Sequence, residues 1–309
     1  MQNNINTCID AAINIAEHID QIEAAGEFYS TLFFIPYYGF SAVVILYVFS
    51  IQQRAESPET YVKCILFDCD NTLVLSEISA FTACAQLANE ILEKYAIEKR
   101  YQGVELMHKY VGRNFRSMMA GLFEVHNFTM PDEELDTYVA RELELTISYL
   151  RKQAEPCKNV IPVLEKIEKE GKYAKAIVSS SAMPRVVASI ETIKIDHYFG
   201  KPNEGIFSAA SSIDPPTSKP NPAIYLHACR VLGFKPSECI AIEDSRSGAT
   251  AAKNAGIPLL GYVGPYYDEE DPEAKVKAHE KLFSEELGAF DVMHDWKDFE
   301  SILNKFESS

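Results

Sequence analysis

Phe67-Asp68-Cys69-Asp70-Asn71-Thr72-Leu73 follows directly on Tyr61-Val62-Lys63-Cys64-Ile65-Leu66, and this junction decides the fold. The apolar run is short, rich in strand formers and preceded by the turn residues Ser57-Pro58-Glu59, which predicts a buried parallel strand. Two aspartates two residues apart then stand where that strand ends, and in open parallel sheets ligands bind at the carboxyl ends of strands. Close carboxylates repel, so a neighbouring cation is the natural way to keep both ionised. Carboxylate and carbonyl oxygens suit Mg2+, and an Asp carboxylate is able to attack phosphorus and form an aspartyl-phosphate. The heptapeptide by itself points to Mg2+-dependent phosphoryl transfer. The competing reading is a chance D-x-D-x-T match in an acidic chain.

Three further segments, in order, bear on that choice. Ala176-Ile177-Val178-Ser179-Ser180-Ser181-Ala182-Met183-Pro184 reads as a strand ending in small hydroxyl residues, with Pro in the first turn of the helix that follows. Free amides at a helix start beside a hydroxyl bind phosphate, although an isolated serine there is more often a plain N-cap. Ser218-Lys219-Pro220-Asn221-Pro222 places a lysine in a proline-bracketed loop before a helix, rigid enough to aim its ammonium at a carboxylate or phosphate. Most lysines are instead solvated surface groups. Cys239-Ile240-Ala241-Ile242-Glu243-Asp244-Ser245-Arg246-Ser247-Gly248 again delivers paired carboxylates to the end of a buried strand. Burying them without a partner is costly, so a shared metal explains both pairs.

Between the first strand and the second, residues 77–155 read as helical: Ile78, Phe81, Cys84, Leu87, Ala88, Ile91, Leu92 and Tyr95 follow helical spacing, and 106–110, 115–123 and 135–150 continue in that style. After this insertion strands are expected at 173–179, 238–244 and 257–263, and helices near 161–170, 184–193, 222–232 and 247–255. That alternation predicts an α/β fold, a doubly wound parallel sheet with helices on both faces. Gly171, Gly233 and Gly256 stand where helix C-caps belong. Residues 265–285, acidic and polar, read as a solvated loop and helix.

The chain has 309 residues, 47% hydrophobic and 24% charged, enough for one large or two medium domains. A net charge of −16 argues against a nucleic-acid surface, which needs clustered Lys and Arg. A phosphate site in so acidic a chain must gather positive charge locally, through a metal, a lysine and backbone amides. The seven cysteines (Cys8, Cys64, Cys69, Cys84, Cys157, Cys229, Cys239) are odd in number and form no C-x-x-C pair. Neither a disulfide framework nor a zinc site is indicated, and a reducing compartment is the simpler reading.

Residues 1–57 form a helical appendage in this reading. Ile5, Ile9, Ala12, Ala16, Ile19 and Ile22 have amphipathic spacing, and 32–51 carry no charge, a length able to span a bilayer. A span there would leave the catalytic part in the cytosol by the positive-inside bias. A soluble helical appendage on a cytoplasmic protein is the alternative, since Pro36, Gly39 and several polar groups weaken the membrane signal. No basic n-region of a secretory signal is present. Cys8-Ile9-Asp10-Ala11-Ala12 through Phe34-Ile35-Pro36-Tyr37-Tyr38-Gly39-Phe40-Ser41-Ala42 resembles part of the helical regulatory region of fungal zinc-cluster transcription factors. No zinc-cluster cysteines accompany it, so no DNA binding is implied.

Taken together over residues 60–305, the four motifs resemble the haloacid dehalogenase superfamily of phosphohydrolases: D-x-D-x-T after a strand, a strand ending in Ser, a K-P-x-P loop, and E-D-S-x-x-G. The last, with Ala251-Ala252-Lys253-Asn254-Ala255-Gly256, resembles the β-phosphoglucomutase-like and phosphoglycolate-phosphatase-like subgroup. In that subgroup a helical cap follows the first motif, as residues 77–155 do here between core segments 58–76 and 156–309. The resemblance implies roles. Asp68 is the nucleophile. Asp70 is the acid that protonates the leaving oxygen and then the base for water. Ser179, with amides at Cys69, Asp70 and Ser180, holds the phosphoryl oxygens. Lys219 orients Asp68 and offsets charge. Asp68, the Asp70 carbonyl and Asp244 bind Mg2+, with Glu243 a direct or water-mediated partner. In the cap, Gly112, Arg113, Asn114 and Arg116 are the substrate-contact candidates, each weighed against a solvated helix surface.

The chain departs from the family pattern at Asn71, where many relatives have Gly, at Ala223, where Asp is usual, and at Phe115, where a mutase-type loop carries Arg. The implied function is a Mg2+-dependent phosphatase of a small phosphomonoester, a sugar phosphate or similar. A phosphomutase is the first alternative and a membrane-tethered or regulatory binding module the second.

Overall fold

The computed structural model describes residues 62–110, 113–268 and 271–308. Residues 1–61, and with them the expected helical appendage and the 32–51 stretch, lie outside the described residues. Among those described, no helix is long and apolar enough to cross a membrane.

Six strands form one parallel sheet: β1 (Cys64–Phe67), β4 (Ala174–Ser179), β5 (Ile206–Ser208), β6 (Cys239–Glu243), β7 (Leu259–Tyr262) and β8 (Asp291–Met293). Their order is β5-β4-β1-β6-β7-β8, all pairs parallel. The chain leaves β1, fills the sheet on the β4 side, then crosses back to β6 on the other side. β1 therefore lies at the switch point, where the connections diverge and a crevice opens above the strand ends.

Side chains alternate across a strand, and here both faces are buried. Ile65 and Phe67 enter one apolar layer with Val186, Ile190, Trp296 and Phe299. Cys64 and Leu66 enter the other with Ile224, Ala251, Ala252 and Phe283. Each fully buried Ile, Leu or Phe adds about 1.5–3 kcal/mol, so the central strand β1 is anchored on both faces. Helices α5 (Val160–Glu170), α6 (Met183–Thr192), α7 (Ala223–Leu232), α8 (Arg246–Asn254), α9 (Pro272–Lys281) and α10 (Phe299–Glu307) cover the faces. Gly171 and Gly233 end α5 and α7 with φ of 61° and 78°, a conformation in which a Cβ is penalised.

Between β1 and β4 stand α1 (Glu77–Lys94), α2 (Gly103–Tyr110), α3 (Phe115–His126) and α4 (Asp132–Gln153). They bury their own cluster, including Phe81, Leu87, Ile91, Leu106, Met119 and Leu122. Acidic residues open α4 and basic ones close it, matching the helix dipole. The helices are flanked by β2 (Val74–Leu75) and β3 (Glu155–Pro156), which pair antiparallel, Val74 opposite Pro156 and Leu75 opposite Glu155.

Besides the short β2–β3 pair, the structure adds to the main sheet two strands that the sequence pattern does not announce, β5 and β8, each three residues long. It also modifies the reading of 265–285. The segment ends in a π-helical turn, Leu282–Leu287, whose Leu282, Phe283 and Leu287 are buried, with Phe283 packed so closely on β7 that a Cβ at Gly261 would meet its ring at 2.6 Å.

Candidate active site

At the carboxyl end of β1 the chain turns sharply. Asn71 takes φ 55°, the left-handed region that Gly enters freely and Asn next most readily. Its amide closes the turn on the Val74 carbonyl at 2.7 Å. This accounts for Asn where relatives carry Gly. The Asp68 amide donates to the Ile242 carbonyl of β6 at 3.0 Å, so the first aspartate is still locked to the sheet. Thr72 is fully buried and donates to Asp244 Oδ1 at 3.3 Å. Trp296, stacked on Phe67, donates its indole N–H to the Thr72 carbonyl at 3.0 Å.

Lys219 reaches this end from the loop before α7. Its ammonium donates to Asp68 Oδ1 at 2.5 Å, to Glu243 Oε1 at 2.6 Å and to the Val178 carbonyl at 2.7 Å. Its three N–H donors are thus all engaged, and the side chain is 2% exposed. The Lys219 amide donates to Ser180 Oγ at 3.1 Å, and Asn221 Oδ1 accepts from the Ala223 amide at 2.9 Å.

Asp70 faces a different set. Ser76 Oγ donates to Oδ1, Ser181 Oγ donates to Oδ2 at 2.7 Å, and Ser179 Oγ lies 3.5 Å from Oδ2. Arg185, in the first turn of α6, donates to Oδ1 at 3.2 Å. Burial alone would push the Asp70 carboxyl up, but the Arg185 guanidinium and the two hydroxyls bring it below the usual carboxylate range. Sequence reading does not find Arg185. It belongs to no motif, and its one signal is a cation opening a helix whose other inward residues, Val186 and Ile190, are apolar. Tyr266 is a second residue of this kind, donating to the Asp244 carbonyl at 2.9 Å.

The residues expected in the catalytic crevice are thus placed as follows. Asp68, Asp70, Ser179, Ser180, Lys219, Glu243 and Asp244 converge at the ends of β1, β4 and β6. The Cys69 side chain is fully buried in the apolar layer, so only its main chain is available there. Arg113 lies over the Tyr110 ring, Asn114 caps α3 by accepting from the Ser117 amide at 2.9 Å, and Arg116 pairs with Asp132 and Asp136. These three make their described contacts within the helical insertion. Gly112 lies outside the described residues.

Asp68, Glu243 and Asp244 bring one oxygen each to within 4.8 Å of one another, all three buried. Three carboxylates crowd together, and the Lys219 ammonium meets two of them, Asp68 and Glu243. Burial first, then the Glu243 and Asp70 charges, push the Asp68 carboxyl up to about 8 against the pull of Lys219. Burial, then the Asp68, Glu243 and Glu77 charges, hold Asp244 well above the carboxylate range. Glu243 Oε2 is buried and has no hydrogen-bond partner. It rests on Gly248, where a Cβ would fall 1.7 Å away, which explains the glycine of E-D-S-x-x-G. Excess negative charge, oxygen-only donors and an unpartnered carboxylate oxygen fit a hard divalent cation such as Mg2+.

This has a consequence for stability. A carboxyl whose pKa rises on folding, from 3.8 to about 8 for Asp68, stabilises the fold fully below its unfolded value and gives that up as pH climbs through the folded one. In a chelator the melting temperature is therefore expected to fall between about pH 6 and about pH 8.5, and Mg2+ to raise it by a margin that widens with pH. Scanning fluorimetry at both pH values checks this. A Mg2+ effect independent of pH would contradict the assignment.

A family model described as haloacid dehalogenase-like hydrolase matches residues 62–256, well over half of the chain. The chain belongs to the haloacid dehalogenase-like hydrolases. This hydrolase is similar to a 6-phosphogluconate phosphatase of Escherichia coli, 27% identical over 230 residues that span 72% of this chain and 89% of that protein. It is also similar to a phosphoglycolate phosphatase of Psychrobacter arcticus, 27% identical over 67% of this chain and 86% of that one. In fold it is similar to a solved haloacid dehalogenase family hydrolase from Deinococcus radiodurans, with bound phosphate and sodium. The TM-score is 0.58 at 23% identity, covering 80% of this chain and 97% of that one.

Proposed function

We propose that this hydrolase is a Mg2+-dependent phosphatase that cleaves a small phosphomonoester, a sugar phosphate or a phosphorylated sugar acid, through an aspartyl-phosphate on Asp68. The observation that carries the reading is the division of the two aspartates. Asp68 is gripped by Lys219 at the bottom of the crevice, while Asp70, two residues on, is held by hydroxyls and Arg185 on its other side. In this reading Asp68 attacks phosphorus and Asp70 handles the protons. Relatives named for 6-phosphogluconate and phosphoglycolate support a small acidic or polyol leaving group.

In the first half, an Asp68 oxygen attacks phosphorus as the ester bond breaks, and the departing alkoxide takes a proton from Asp70. In the second half, Asp70 removes a proton from water, whose oxygen attacks phosphorus and releases inorganic phosphate and the Asp68 carboxylate. The ionised form in which Asp70 stands here suits the second half. The first half needs it protonated, so the Arg185–Asp70 pair has to give way when an anionic substrate draws the guanidinium to itself. Ser179 and neighbouring amides would hold phosphoryl oxygens, and Lys219 would keep Asp68 aimed. Asp68, the Asp70 carbonyl and Asp244, with Glu243, would hold Mg2+, which when bound offsets charge on the transferring group. Phe115, in place of the Arg of mutase-type loops, is buried in the core of the insertion, which favours water as the acceptor. The described thiols are free and buried, in keeping with a reducing cytoplasm.

The test is phosphate release by the purified full-length chain, with Mg2+ or a chelator, from sugar phosphates, phosphorylated sugar acids, nucleotides and an aryl phosphate. Mg2+-dependent release is expected. No release from any ester by a folded protein that binds Mg2+ would overturn the reading.

A further inference from the structure

Tyr225 stands in the first turn of α7, and sequence pattern makes it an ordinary core aromatic. A Phe would fill the same space; the hydroxyl is the difference. It is fully buried and donates to Glu243 Oε1 at 2.5 Å. The Lys219 ammonium donates to that same oxygen at 2.6 Å and lies 5.1 Å from the Tyr225 ring centroid, within range of a cation–π attraction. One side chain thus touches both members of the buried pair, the carboxylate through its hydroxyl and the ammonium through its ring.

Two donors on Oε1 leave Oε2 as the oxygen of Glu243 without a partner, held against Gly248. Without the hydroxyl, Oε1 would be restrained by Lys219 alone, and Lys219 is the group that also holds Asp68. The shared ammonium would then be drawn toward Glu243 and away from the nucleophile.

Resting on the phosphatase reading above, we infer that Tyr225 is a positioning residue: its hydroxyl fixes Glu243 for cation binding and balances Lys219 between Glu243 and Asp68. The groups that orient metal-ligating carboxylates shape metal affinity without touching the ion. The role is separate from packing, because Phe preserves the ring and its face toward Lys219.

The test uses the full-length chain and its Tyr225→Phe, Glu243→Gln and doubly substituted forms. Mg2+ alone is titrated by calorimetry, and steady-state kinetics are run on an ester that the wild type hydrolyses. Tyr225→Phe is expected to bind Mg2+ about tenfold more weakly and to lower kcat about tenfold, with KM within about twofold. Its melting temperature in a chelator should stay within about 3 °C of wild type, since its core packing is unchanged. In the double variant, the loss of Mg2+ affinity should not exceed that of Glu243→Gln alone, the signature of residues acting through one another. Wild-type Mg2+ affinity in Tyr225→Phe, or losses that add in the double variant, would overturn the inference and leave the phosphatase reading standing. A wild type that neither binds Mg2+ nor releases phosphate would overturn both.

Discussion

Asp68→Asn is expected to cut phosphate release by at least about 10⁴-fold, the scale on which enzymes lose rate when the nucleophile itself is removed. The change is nearly isosteric, and the amide oxygen still accepts from Lys219, so the geometry around it should persist. An amide oxygen does not form the acyl phosphate, and no other carboxylate takes its place. Asp70 is turned to Ser76, Ser181 and Arg185, and Glu243 is bound to Lys219 and Tyr225. The metal-free variant is expected to melt no lower than wild type, because one of three crowded buried carboxylates has become neutral. Phosphate release and a thermal melt measure the two arms. Retention of more than about 1% of wild-type activity would remove Asp68 from the chemistry.

Lys219→Met should be the most destabilising substitution at the site, by about 3–5 kcal/mol, the cost of stripping one partner from a buried ion pair. The loss is large because the ammonium serves three acceptors, Asp68, Glu243 and the Val178 carbonyl, all left facing an apolar side chain. Phosphate release should fall as well, by about 10³-fold, as Asp68 loses the ammonium that orients it. Lys219→Arg should not rescue activity, since a planar fork does not reproduce three convergent bonds from one nitrogen. Urea unfolding and phosphate release report both effects. A variant as stable as the wild type would show that the three acceptors find other partners.

Much of this was legible in the sequence, for reasons that differ between elements. β1 and β6 are apolar runs that end in paired carboxylates, and the signal is strong because both faces of each strand are buried. The insertion announces itself through helical spacing from Phe81 to Leu92. β5 and β8 are not legible, because three residues carry no periodicity and each borrows its burial from a neighbouring strand. The paired carboxylates at two strand ends already call for a shared cation, and the sheet order, which sets β1 beside β6, is what brings Asp68, Glu243 and Asp244 together. Arg185, Tyr225 and Tyr266 escaped because their side chains matter through partners far away in sequence. A tyrosine in an apolar helix reads as core until the carboxylate beneath its hydroxyl is known. For Arg113, Asn114 and Arg116 the structure adds contacts inside the insertion, a ring, a helix cap and two surface pairs, that spacing alone does not disclose.

The chain's single tryptophan is Trp296, and its indole both stacks on Phe67 and binds the Thr72 carbonyl. It therefore brackets the Asp68–Asp70 turn from below. The protein carries its own optical probe at the loop where cation and phosphate would be held. Its intrinsic emission is therefore expected to change when Mg2+ binds, a signal readable on native material with no label attached and no substitution made.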